Sequence, residues 1–141
     1  MMNTRIRTTL TLMTALAVTG LFALLFLSCG AQTLNPKFQP EISNVTDNFQ
    51  FQVTNVRNYT NAYQYSWTNT GTVATVNQAS AVTGGTAVLT IRDNAGTQVY
   101  SQSVAQNGTF DTAAGIAGTW TIVLNLTKTS GTINFRVQKK I

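Results

Sequence analysis

Trp120-Thr121-Ile122-Val123-Leu124-Asn125-Leu126, then Ser130-Gly131, then Ile133-Asn134-Phe135-Arg136-Val137 is the most regular stretch of this chain. Its large apolar residues occupy every second position, the repeat of a strand with one buried and one wet face. Trp120, Ile122, Leu124 and Leu126 share the first such face, and Ile133, Phe135 and Val137 share the second. Between them Ser130-Gly131 reads as a turn, so the stretch predicts two strands joined in a closing hairpin.

The same period extends upstream. Phe49, Phe51 and Val53 alternate with Gln50, Gln52 and Thr54, and Tyr63, Tyr65 and Trp67 share a second strand face. Asn69-Thr70-Gly71 turns the chain into 73–76, and Ala87, Leu89 and Ile91 follow Gly84-Gly85. Asp93-Asn94-Ala95-Gly96 is a strong hairpin signal, because Asn and Gly tolerate the positive φ of a tight reversal. The return strand spans 98–104, and Asn107-Gly108 turns into a short run around Phe110. Residues 113–118 are small and glycine-broken, so they read as loop rather than helix. The expected fold is all-β: an antiparallel β-sandwich of jelly-roll or Ig-like type, with seven or eight short strands and threonine-rich outer faces.

The other end of the chain is built differently. Arg5 and Arg7 precede an uncharged apolar run over 8–28, which ends at Cys29, the single cysteine. A basic start, an apolar stretch and small residues at a cutting point make an export signal. Leu25-Phe26-Leu27-Ser28-Cys29-Gly30 resembles the lipobox of bacterial lipoproteins, with Phe26 where that motif prefers Leu. The resemblance implies cleavage after Ser28, a diacylglycerol on the Cys29 sulfur, and a lipid-anchored protein of the bacterial envelope, with Gly30 pointing to the outer membrane. Two or three acyl chains on one residue give lasting attachment, whereas one binds only marginally. An uncleaved membrane helix and ordinary secretion with cleavage near Ala31 are the competing readings. The expected organisation is a signal helix over 1–28, lipidated Cys29 with a tether over 29–48 containing Pro36 and Pro40, and the sandwich over 49–141. The end of the tether, around 42–45, has the alternative of pairing as an edge strand.

Composition excludes several chemistries. The chain of 141 residues has no histidine. With Cys29 given to lipid, no Cys/His metal or haem site, disulfide or Ser-His-Asp relay can be assembled. After residue 28, seven Lys/Arg face only Glu41, Asp47, Asp93 and Asp111, a formal charge of +3. These acids read as tether and turn residues rather than a glycosidase pair, and no basic stripe with interleaved aromatics tracks a nucleic acid. A non-enzyme without catalytic residues, metal or cofactor is expected.

Gly118 to Ile122 and Ser130 to Phe135 together resemble the close of pre-peptidase C-terminal domains and of proprotein convertase P domains, which are jelly-roll-like sandwiches. That resemblance implies a final hairpin; the scattered acids do not carry over calcium sites. Tyr59, Tyr63, Tyr65 and Trp67 are candidate ligand-stacking aromatics, with a buried strand face as the alternative for the alternating three. Lys139-Lys140 is a small candidate contact for anionic lipid or a partner. The expected function is a non-catalytic, lipid-anchored binding or accessory module whose partners are membrane lipid through Cys29 and a protein or glycan of the envelope. The alternatives are a coat or fibre assembled through strand edges, and a carbohydrate-binding module.

Overall fold

The computed structural model describes residues 38–141; the export signal, Cys29 and most of the tether lie outside the described residues. The described chain is all-β, with seven strands and only antiparallel pairings. They are β1 (Glu41–Val45), β2 (Asn48–Asn69), β3 (Ala74–Gln78), β4 (Ala81–Arg92), β5 (Gln98–Ser103), β6 (Gly108–Asp111) and β7 (Gly118–Lys139). Among the described residues no helix is long and apolar enough to cross a membrane.

Two strands of 22 residues organise everything else. β2 and β7 pair along almost their whole length. Phe49 and Tyr65 both lie on β2, separated by about 50 Å of extended chain. Their ring centroids are nevertheless 5.4 Å apart, so β2 folds back over itself, and β7 bends with it. One layer contains β1, the first part of β2, the last part of β7, β3 and β6. The facing layer contains the rest of β2 and β7 with β4 and β5. Between the layers lies one apolar cluster, to which the first layer contributes Phe49, Phe51 and Phe135 and the second Trp67, Trp120, Ile122 and Leu89. The unit Pro36–Ile141 holds this entire core, so it has what a domain needs to fold alone.

The bend explains why the closing hairpin is not formed. Ser130 and Gly131 lie inside β7, where register shifts mark the pairing with β2 and with β4. Buried positions are even-numbered from Trp120 to Leu126 and odd-numbered from Thr129 to Val137. An extra residue in a bulge produces that change, keeping the same side inward while the strand turns a corner. β2 does the same between Val53 and Asn61, and β4 between Val82 and Thr86. The final hairpin, also implied by the P-domain resemblance, is therefore replaced by one bent strand; the strand count is seven, within the expected seven or eight, but two of the strands are long rather than short. Asp93–Gly96 does turn β4 into β5, with Gly96 at φ 80°.

The sheet also begins earlier than Phe49. β1 pairs with the start of β2, Ile42 opposite Phe51, which is the edge-strand alternative for the end of the tether. Asp47, at φ 64°, makes the tight reversal between them.

Candidate functional site

The four aromatics singled out from the sequence are brought onto one inner surface of β2, at different depths. Trp67 is 1% exposed and meets Trp120 edge to face with centroids 6.0 Å apart. Its Nε1–H donates to the Val45 carbonyl, so no face of Trp67 is open to a ligand. Tyr65 packs on Phe49 and Phe51, and burial raises its phenol pKa. Tyr59 and Tyr63 lie further out, their hydroxyls hydrogen-bonded at 2.6 Å with Asn61 donating to both. Burial, reinforced by that bond, pushes Tyr63 up to about 12. Phe38 stacks on Tyr59 and on Tyr63, at 4.7 and 4.8 Å and nearly parallel. A residue of the chain itself thus occupies the ring faces that a sugar would need.

The three aspartates have structural work at the end of the sandwich away from the bend. Asp93 Oδ1 accepts the Ala95 and Thr97 N–H groups, and Oδ2 accepts that of Ile116, so one carboxylate ties the β4–β5 turn to the loop before β7. The Ile116 N–H, then those of Thr97 and Ala95, hold its pKa below the usual value. Asp47 is lowered chiefly by the Thr70 N–H and also meets Lys139 at 3.0 Å. Asp111 is lowered chiefly by Lys140 at 2.7 Å. The two terminal lysines are therefore engaged with the chain's own acids. Among the described residues no three His, Cys, Asp or Glu side chains converge as metal ligands would.

The bend itself carries a feature that local sequence reading missed. A groove of about 420 Å³ opens there, lined by Asn55, Arg57, Thr83, Ser130 and Thr132 among others. Three bent strands frame it. Asn55 and Asn58 at φ 56° and 44°, with Lys128 at 48°, adopt the left-handed region, which Asn tolerates better than most residues. Gly85 and Gly131 are needed because a Cβ on either would lie 2.2 or 2.1 Å from a carbonyl oxygen of the neighbouring strand. Hydroxyls replace ladder bonds lost at the bulges: Ser130 Oγ accepts the Asn58 N–H at 2.9 Å, and Thr60 Oγ1 accepts that of Lys128 at 2.8 Å. Ser130 keeps its own O–H to donate. The sequence signal was the parity change along β7, together with Asn55 and Asn58 flanking Arg57.

The third surface is the outer edge of β1. All five of its residues are exposed, including Ile42 at 42% and Val45 at 56%. No protein-family model matches this chain, and the search of curated proteins found no match.

Proposed function

We propose that this chain is a non-catalytic binding module, held at the bacterial envelope through acylated Cys29, and that the groove at the sheet bend is its binding site. The observation that carries the binding reading is Arg57. It is exposed, forms no ion pair or side-chain hydrogen bond among the described residues, and lines the groove together with the hydroxyl-bearing Thr83, Ser130 and Thr132. A guanidinium with an adjacent row of donors suits a polar, negatively charged group. The depressed pKa values of Asp47, Asp93 and Asp111 support the non-catalytic part, since none is poised as a proton donor near neutral pH. Two experiments test the proposal. Labelling with a radioactive fatty acid should mark the wild type and spare Cys29→Ala, and equal labelling would end the anchor reading. A panel of anionic glycans, peptides and phosphates, applied to residues 36–141, should yield a ligand lost in Arg57→Gln; unchanged binding in that variant would remove the groove.

Assembly through strand edges is the second reading, favoured by the apolar exposure of β1. Light scattering across a concentration series tests it, and a strict monomer would sink it. Sugar stacking on Tyr59 and Tyr63 requires Phe38 to leave, so a glycan array on Phe38→Ala is its test.

A further inference from the structure

We infer that the bend is the membrane-facing end of the domain and that its groove takes the phosphate of an anionic phospholipid headgroup. This rests on reading the groove as a binding site, and it names the partner. The first argument is charge. The segments that build the bend, 54–61, 81–86 and 127–132, contain Arg57 and Lys128 and no acid. Asp47, Asp93 and Asp111 all lie at the other end, two of them paired with Lys139 and Lys140. Glu41 sits opposite Gln52 on β1 and lines a separate depression outside the groove. The three aspartates thus lie at the end opposite Arg57 and Lys128, and Glu41 on β1 is the one acid near the bend.

The second argument is where the chain enters. Phe38 rests on Tyr59 and Tyr63, which flank the bend. On the lipidation reading, only the residues between Cys29 and Phe38 separate the acyl group from that entry point, at most about 30 Å of extended chain. That length of chain lets the bend reach the headgroups, where a surface potential acts on exposed cations within a Debye length of about 8 to 10 Å. The third argument is chemistry: Arg57 with the Ser130 hydroxyl and the neighbouring threonines supplies charge-assisted and neutral donors to one phosphate, and Lys128 adds a second positive charge nearby.

The test uses residues 36–141, which lack Cys29, so its result is independent of acylation. The protein is sedimented with vesicles of phosphatidylcholine alone or with about one-third phosphatidylglycerol, at low and raised salt. Binding should require the anionic lipid and fall with salt. Arg57→Gln and Lys128→Asn, the latter chosen because Asn accepts the left-handed backbone, should each weaken partitioning about fivefold, and together about 30-fold. The charge-matched double variant Lys139→Gln/Lys140→Gln should lose far less, and melting curves confirm that each variant folds. Equal binding to neutral vesicles, or equal losses in the two double variants, would overturn the inference. Arg57-dependent capture of inorganic phosphate or another soluble anion, with no vesicle binding, would also overturn it while leaving the groove as a binding site. Loss of both would remove the groove as well.

Discussion

The two ends of this sandwich are stabilised by different means, and the difference separates what is rigid by chemistry from what is rigid by geometry. At the far end, side chains hold loops: Asp93 gathers three backbone N–H groups, Asp47 and Asp111 hold lysines, and the Trp67–Trp120 pair forms the apolar base. At the bend the backbone itself does the work. Gly85, Gly131, Asn55, Asn58 and Lys128 adopt positive φ so that three strands turn together, their pairing interrupted by bulges but resumed on either side. The end locked by carboxylates has spent those acids on its own loops and lysines. An end shaped by backbone leaves its cations available, which is why the proposed site lies there.

Substitutions that strike one end and spare the other put this contrast to the test. Trp120→Ala should have the largest effect, about 3 to 5 kcal/mol in chemical denaturation, because a fully buried ring is removed from beneath the carboxylate end. Stability close to wild type would mean that the Trp pair is not its base. Gly131→Ala should follow at about 2 to 4 kcal/mol, combining an unfavourable φ of 119° with a backbone clash at 2.1 Å. Gly96→Ala is the comparison: φ is 80° but a Cβ there meets nothing within 4 Å, so about 1 kcal/mol is expected. If both glycine variants lose the same amount, the claim that close strand approach sets the bend is broken.

Phe38→Ala should cost about 1 to 2 kcal/mol through its two lost stacking contacts and should expose Tyr59 and Tyr63 to solvent quenchers. Unchanged tyrosine quenching would contradict the observed seat of Phe38. Acid sharpens the contrast without mutation. The three aspartates have folded-state pKa values below their unfolded ones, so their stabilisation is complete above about pH 4 and is lost as pH falls through the depressed values. Amide exchange should accelerate first around Asn94–Thr97 and Ile116, not at Asn55–Asn58; the reverse order would refute it. Smallest of all, Lys140→Ala should leave the melting temperature essentially unchanged, since both partners in its ion pair are about half exposed. A clear drop would assign that pair more weight than exposed ion pairs carry.

Much of the fold was legible in the chain. Alternation placed Phe49, Phe51, Ile122, Leu124 and Phe135 on buried faces, and Asp93-Asn94-Ala95-Gly96 specified its hairpin, because these are local consequences of side-chain period and turn chemistry. Ser130-Gly131 was misleading for an equally local reason. A glycine at positive φ serves a turn and a bulge alike, and only the strand across from it distinguishes them. The parity change between Leu126 and Ile133 pointed to the bulge; a turn signal at the same place offered a simpler account. Of the four candidate aromatics, composition identified the cluster but not its accessibility, because Phe38, which covers Tyr59 and Tyr63, is distant in sequence. Arg57 and Thr83 are brought to one groove by pairings of β2 and β4 with β7, which no local window contains.

By itself, then, the sequence determined an all-β chain, most of its inward residues, the Asp93–Gly96 hairpin, and the absence of histidine and of a second cysteine, because period and composition are properties of the chain alone. Tertiary structure decided that two long strands bend where short ones would have turned, that three aspartates are engaged at one end, and that Arg57 at the other has no ion-pair partner among the described residues. Those outcomes depend on which strand lies opposite a glycine and which partner lies opposite a charge, and both are settled only when distant segments meet.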